Sequence, residues 1–258
     1  MTKIKFGTDG WRAIIAQEFT VENVARVTEA TAVWLKKNFE NPTVVLGHDC
    51  RFAGELFAHT AAKVLVSHNI KVFLAKDFVS TPMISLGTVR HKASVGIIIT
   101  ASHNPPSYNG FKLKGYYGGP LGPEKVQEIE DIIPEKANQN FEAVDLKAAE
   151  AKGLVEITAL EDMYVKHVEA NFDLAAIKNS GLKFAYDSMY GAGQRVMFRL
   201  FPEIIHLHND HNPSFKGQAP EPIHKNLTEF SNLIKNAGNI DCGLVTDGDA
   251  DRIGLYDA

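Results

Sequence analysis

Along this chain apolar residues recur with two alternating periods. Val24, Val27, Ala30, Ala32, Val33 and Leu35 fall at helical spacing and predict a helix over Val21–Phe39, with Thr20 as its N-cap. Thr43–His48 is a β-branched run that predicts a strand. Glu55–His68 returns to helix, Lys71–Ala75 to strand, and Pro82–Arg90 to a shorter helix. Ala93–Thr100 is the strongest strand pattern, an Ile-rich run that suits burial on both faces. Strands separated by helices of this length predict crossover units and a largely parallel sheet covered on both faces.

From Pro134 to Gly153 the composition turns to Glu, Lys, Asn, Gln and Ala, which places a domain boundary near residue 152. A helix is expected to open at Thr158, with Glu161 in the capping-box position. The alternation then resumes: Lys183–Asp187 strand, Gln194–Phe201 helix, Glu203–Leu207 strand, Leu227–Ala237 helix, Cys242–Thr246 strand. The expected fold class is α/β, with two consecutive α/β/α sandwich domains, 1–151 and 152–258, and largely parallel, mixed sheets. One continuous domain with a long surface excursion is the alternative. Ile253–Tyr256 reads as the start of another strand close to the last residue, so truncation is expected.

Composition narrows the function classes. With 45% hydrophobic and 22% charged residues the 258-residue chain is of the globular type. A net charge of −4 and the lack of any basic run argue against nucleic acid. Cys50 and Cys242 are far apart and lack metal-site spacing, so they read as reduced cysteines of a cytoplasmic protein. Residues 1–7 carry no apolar core of a signal peptide, and no apolar stretch approaches the roughly 18 residues of a membrane span.

Thr100-Ala-Ser102-His103-Asn104-Pro105 directly follows the strongest strand, and in α/β sheets ligands bind beyond the carboxyl ends of strands. Asn-Pro forces a turn, with Ser102 presented at its mouth. A plain turn capped by Ser102 uses the same residues. A hydrolase would need a Gly-x-Ser-x-Gly elbow, which is missing, and adjacent side chains diverge, which argues against His103 as a triad base. Downstream, Tyr108-Asn-Gly110-Phe-Lys112 could return a cation to the serine.

Asp247-Gly-Asp249-Ala-Asp251-Arg252 follows the strand ending at Thr246. Alternate spacing lets three carboxylates turn toward one point, and clustered hard oxygens select Mg²⁺ or Ca²⁺. An EF-hand loop fails on register: counted from Asp247, its sixth position is Arg252 and its twelfth Ala258. An acidic turn is the plain alternative, but acids this close repel unless a cation screens them. A serine, a divalent metal and nearby Lys or Arg are parts of a phosphoryl-transfer site. No nucleotide-binding motif appears, so a phosphoryl group stored on Ser102 would solve the donor problem.

Together these motifs resemble the α-D-phosphohexomutases, the phosphoglucomutase/phosphomannomutase group. The matches are Phe6–Arg12, Gly47–Arg51, Thr100–Pro105, Tyr108–Lys112, Pro220-Glu-Pro222 with Asn226-Leu227, and Asp247–Arg252. The resemblance implies that Ser102 carries the phosphoryl group and that Asp247, Asp249 and Asp251 bind one Mg²⁺ together with an oxygen of phosphorylated Ser102. Arg12 and Arg252 would face the phosphoserine. His103 and Lys112 would lie beside it as candidates for proton handling. It implies an isomerase that interconverts hexose 1-phosphate and hexose 6-phosphate through a hexose 1,6-bisphosphate. Phosphoglucosamine mutase is the runner-up, and a catalytically inactive Mg²⁺-binding fragment is a further alternative. The family's third and fourth domains, with the sugar-recognition and phosphate-binding loops, are expected to be absent, leaving the isolated chain inactive or nearly so.

Two further features carry less. His206, His208, Asp210 and His211 read as a partly exposed strand end more than as a ligand set, and Trp11 as core more than as a stacking platform.

Overall fold

The computed structural model describes residues 3–257 and contains two mixed sheets flanked by helices. The strands are β1 (Trp11–Ile14), β2 (Thr43–His48), β3 (Lys71–Ala75), β4 (Val95–Ile99), β5 (Tyr108–Gly115), β6 (Val155–Thr158), β7 (Phe184–Asp187), β8 (Ile205–Leu207), β9 (Cys242–Thr246) and β10 (Ile253–Asp257). The first half carries helices α1 (Val21–Asn38), α2 (Gly54–Ser67), α3 (Thr81–Arg90), α4 (Pro123–Glu130) and α5 (Leu146–Ala151). The second carries α6 (Leu160–Asn171), α7 (Leu174–Lys178), α8 (Gln194–Leu200) and α9 (Thr228–Ala237).

The first sheet runs β1-β5-β4-β2-β3-β6. β4, β2, β3 and β6 are parallel, while β5 is antiparallel to both β4 and β1. The second runs β10-β9-β7-β8, with only β10 antiparallel to its neighbour. This is the expected α/β class with mixed, mainly parallel sheets. β4 is buried at every position, as its unbroken apolar run requires. Thr20 caps α1 by accepting from the Asn23 amide at 3.2 Å.

Three readings differ from the structure. No helix opens at Thr158, which ends β6; α6 starts at Leu160 after Ala159, which makes no side-chain cap. Glu161 accepts from Arg195 at 2.7 Å and Arg199 at 2.8 Å instead of closing a capping box. β6 lies C-terminal to the expected boundary at 151/152, yet pairs with β3 in the first sheet. Ile253 opens β10, which folds back on β9, so the aspartate loop joins the two strands of a hairpin.

A shared core cluster binds the two halves: Val45, Met83 and Ile98 pack with Leu160, Val165, Val196 and Leu200. Trp11 is core, 4.7 Å from the Phe19 ring. Neither Cys50 nor Cys242 is in a disulfide. Among the described residues no helix is long and apolar enough to cross a membrane.

Gly96 of β4 lies where α3 presses on the sheet. A Cβ there would collide with Thr88 Oγ1 and lie 2.8 Å from Ile84 Cγ2. Gly96→Ala should therefore destabilise the chain by about 1–3 kcal/mol, read from the urea midpoint at unchanged m-value.

Candidate active site

In each sheet, successive strands are added first to one side and then to the other. β3 lies on one side of β2 and β4 on its other side; β8 lies on one side of β7 and β9 on its other side. Each reversal opens a crevice at the carboxyl ends of its strands. The loops after β2 and β4 line the first crevice, and the loop after β9 lines the second. The serine and aspartate loops meet where the two crevices face each other.

Ser102 is fully buried, so the turn presents it to the second half of the chain and not to solvent. Its φ is 53°, an uncommon left-handed value for serine. Its Oγ donates to Asp247 Oδ2 at 2.6 Å, and its amide donates to Thr100 Oγ1 at 2.9 Å. Gly248 passes so close that a Cβ would lie 2.5 Å from the Ser102 carbonyl oxygen and 3.0 Å from Pro220 Cγ. That contact places the Pro-Glu-Pro segment against the aspartate loop.

The three aspartates converge, with one carboxylate oxygen from each lying within 4.8 Å of the others. Asp247 and Asp249 are buried, and Asp251 is exposed. Asp247 Oδ1 accepts from the amides of Asp251 and Arg252, both at 3.1 Å. Asp249 Oδ2 accepts from Thr81 Oγ1 at 2.6 Å and Lys112 Nζ at 2.7 Å, while its Oδ1 is buried without a hydrogen-bond partner. All-oxygen donors, mutual repulsion and this orphaned buried oxygen fit a hard divalent cation. Burial, and next the Asp249 carboxylate, push Asp247 up to about 7. Burial, the largest single influence, opposes ionisation of Asp249 as well, but the charge and hydrogen bond of Lys112, with the Thr81 hydroxyl and Asp247 as further partners, together hold that carboxyl below its ordinary range.

Lys112 reaches the aspartates: its Nζ is 2.7 Å from Asp249, 3.1 Å from Asp251 and 2.8 Å from Asp9. Burial alone would lower its pKa, but these carboxylates raise it above the ordinary amine range. It is a firmly held cation. Arg12 donates to Asn104 Oδ1 at 2.7 Å and to Asp9 at 2.9 Å, on the rim of the serine loop. Arg252 donates to His103 Nδ1. Burial first, then Arg252 and Arg12, lower the His103 pKa, which leaves a neutral imidazole at pH 7. Direct contacts thus tie Ser102 to Asp247, Lys112 to Asp249 and Asp251, Arg252 to His103, and Arg12, through Asp9, to Lys112.

Gly47–Arg51 matched in sequence without assigning a role to Asp49 or Arg51, and Thr81 was not among the residues singled out. Arg51 donates to the carbonyls of Ser102, Asn104, Pro105 and Tyr108. Asp49, pushed up to about 6 chiefly by burial, accepts from Thr100 Oγ1 at 2.5 Å. Thr81, at the start of α3, grips Asp249 through both its amide and its hydroxyl. Asp49 and Arg51 follow the carboxyl end of β2, and the rule that singled out Ser102 also points to them.

The histidines of this cluster turn to separate partners. His206 bonds the Phe201 carbonyl, His208 lies 2.9 Å from Asp187, and His211 stacks on Phe78. Among the described residues the aspartate triad is the one grouping of this kind able to hold a metal.

Residues 3–140 match the family described as phosphoglucomutase/phosphomannomutase, alpha/beta/alpha domain I, and residues 162–258 match its domain II. Among curated relatives, a Methanosphaera stadtmanae protein named probable phosphoglucosamine mutase is 33% identical over 96% of this chain and 53% of its own length. A Thermococcus kodakarensis phosphoglucomutase/phosphomannomutase is 32% identical over 98% of this chain and 55% of its own. A crystal structure from Thermus thermophilus that carries the phosphomannomutase name superposes with a TM-score of 0.89 at 35% identity. It covers 99% of this chain and 57% of that one. The chain spans about half the length of the curated relatives it matches.

The raised Asp247 pKa gives a pH signature. Without metal, an acid raised from 3.8 to about 7 favours the folded state fully below about pH 4 and loses that contribution as pH rises through about 7. In EDTA, Asp247→Asn should therefore gain melting temperature relative to wild type between about pH 5 and pH 8. Millimolar Mg²⁺ should raise the wild-type melting temperature more at pH 8 than at pH 5, and do little for the variant.

Proposed function

The chain belongs to the phosphoglucomutase/phosphomannomutase family, and on that premise we propose that it carries the phosphoserine and metal loops of a hexose-phosphate isomerase. The reading divides it into domains 1–151 and 152–258, with β6 of the second span lent to the first sheet. The observation that carries the proposal is the 2.6 Å contact of Ser102 Oγ with Asp247, inside a triad suited to one divalent ion.

On this reading Ser102 Oγ holds the transferable phosphoryl group. Its phosphorus–oxygen bond breaks as a new bond forms to O6 of a hexose 1-phosphate, giving the hexose 1,6-bisphosphate. The bisphosphate reorients and its 1-phosphoryl returns to Ser102, releasing hexose 6-phosphate. Asp247, Asp249 and Asp251 would hold Mg²⁺, which supplies charge neutralisation on the phosphoryl oxygens. Arg12 and Arg252 face the phosphoryl group. Lys112 keeps the carboxylates together, and its raised pKa makes it a poor base. His103, neutral at pH 7, is the other candidate to take the O6 proton, at Nδ1 and only once Arg252 releases that nitrogen. A cytoplasmic location accords with the two cysteines outside any disulfide.

Phosphoglucosamine is the alternative sugar, favoured by the relatives that bear that name. Because the chain spans about half of its relatives, we expect the isolated chain to turn over hexose phosphates poorly or not at all, while still accepting a phosphoryl group.

Incubation with glucose 1,6-bisphosphate and Mg²⁺ should add one phosphoryl group to Ser102, read by mass spectrometry, and Ser102→Ala should take none. Phosphate on another residue, or none on wild type, would sink the proposal.

A further inference from the structure

We infer that Arg51 is a positioning residue for Ser102 and that Phe215, from the second domain, holds it to that task; the inference rests on Ser102 being the phosphoryl carrier. Arg51 is 3% exposed and has a carboxylate beside it, with Asp49 Oδ2 3.3 Å from Nε. Yet Nε makes no hydrogen bond. The directional donors go to the serine loop instead. Nη2 donates to the carbonyls of Ser102 at 2.6 Å and Asn104 at 2.7 Å, and Nη1 to those of Pro105 at 2.9 Å and Tyr108 at 3.1 Å.

Ser102 is thereby gripped at both ends. Arg51 holds its carbonyl, and Thr100 Oγ1, itself bonded to Asp49, holds its amide. A left-handed residue persists where its surroundings over-determine it, and these bonds supply that determination. Releasing either end frees Ser102 to leave φ 53° and swings its hydroxyl away from Asp247.

The guanidinium also packs against Phe215, with Cζ 5.1 Å from the ring centroid. Phe215 is 1% exposed and clusters with Cys50, Tyr190 and Ala192. It and Lys216 have φ of 48° and 49°, outliers for side chains of this size. The strained turn delivers the ring to Arg51 across the domain junction. A planar, delocalised cation suits both the four-carbonyl grip and the ring, and the compact ammonium of a lysine suits neither.

Arg51→Lys and Phe215→Leu test this with two readouts: deuterium exchange of peptides spanning residues 100–108, and the rate of Ser102 phosphorylation by glucose 1,6-bisphosphate across donor concentrations. Both variants should keep wild-type circular dichroism and exchange faster in 100–108. Arg51→Lys should lower the rate at saturating donor by about tenfold or more, with the half-saturating concentration changed less than about twofold. Phe215→Leu should show a smaller loss of the same kind. Wild-type exchange in 100–108 for both variants overturns the inference, as does loosening by Phe215→Leu confined to residues 190–217. If Arg51→Lys does not fold, Phe215→Leu decides, because a role within its own domain would not move a loop of the other. If wild-type Ser102 takes no phosphoryl group, the functional reading fails and exchange alone judges the clamp.

Discussion

One electrostatic constraint organises this molecule: carboxylates crowded on a loop of the second domain are balanced by groups of the first. Asp249 is buried because Lys112 and Thr81 meet it, and both belong to elements of the first sheet's domain. Asp247 is buried against Ser102, again across the junction. Drawing the domains apart would strip these acids of their partners while leaving them close to each other. Docking of the domains and construction of the site are therefore a single event. The apolar cluster of Met83 and Ile98 with Val196 and Leu200 supplies the non-directional part of the same closure.

Topology explains why the chemistry collects at this junction. A parallel sheet that grows in two directions leaves a gap beyond the strand ends at its point of reversal. With two such sheets, each gap covers the other. Backbone groups too close for side chains, such as Gly248 against the Ser102 carbonyl, seal the junction, and donors from both halves can address the same small volume.

Much of this was legible in the sequence, for a physical reason. β2 and β3 are read to the residue and α1 to within one, because the two strands are short unbroken apolar runs buried on both faces and the helix has apolar residues at helical spacing with Thr20 as its cap. β5 is not among the expected strands, although Phe111-Lys112-Leu113-Lys114 alternates as a strand does; what the pattern does not record is that both lysines are buried. The capping-box pattern at Thr158 and Glu161 misled because Arg195 and Arg199 compete for the same carboxylate. Within the site, Ser102 and the three aspartates were visible because each motif is local. Arg51, Asp49 and Thr81 act on partners far along the chain, 51 residues from Arg51 to Ser102 and 168 from Thr81 to Asp249, and no local spacing records such pairs.

The separation of Ser102 from Asp247, 145 residues, also sets an order of events at the ribosome. At roughly 5–20 residues per second, synthesis reaches the aspartate roughly 7–30 s after the serine. In that interval the first domain can complete its sheet and close Arg51 onto the serine loop, but Asp247 is not yet there to accept from the Ser102 hydroxyl. The newborn domain thus shows water the Ser102 hydroxyl and a Lys112 not yet met by the aspartate loop, and the arriving second domain covers both in one docking step.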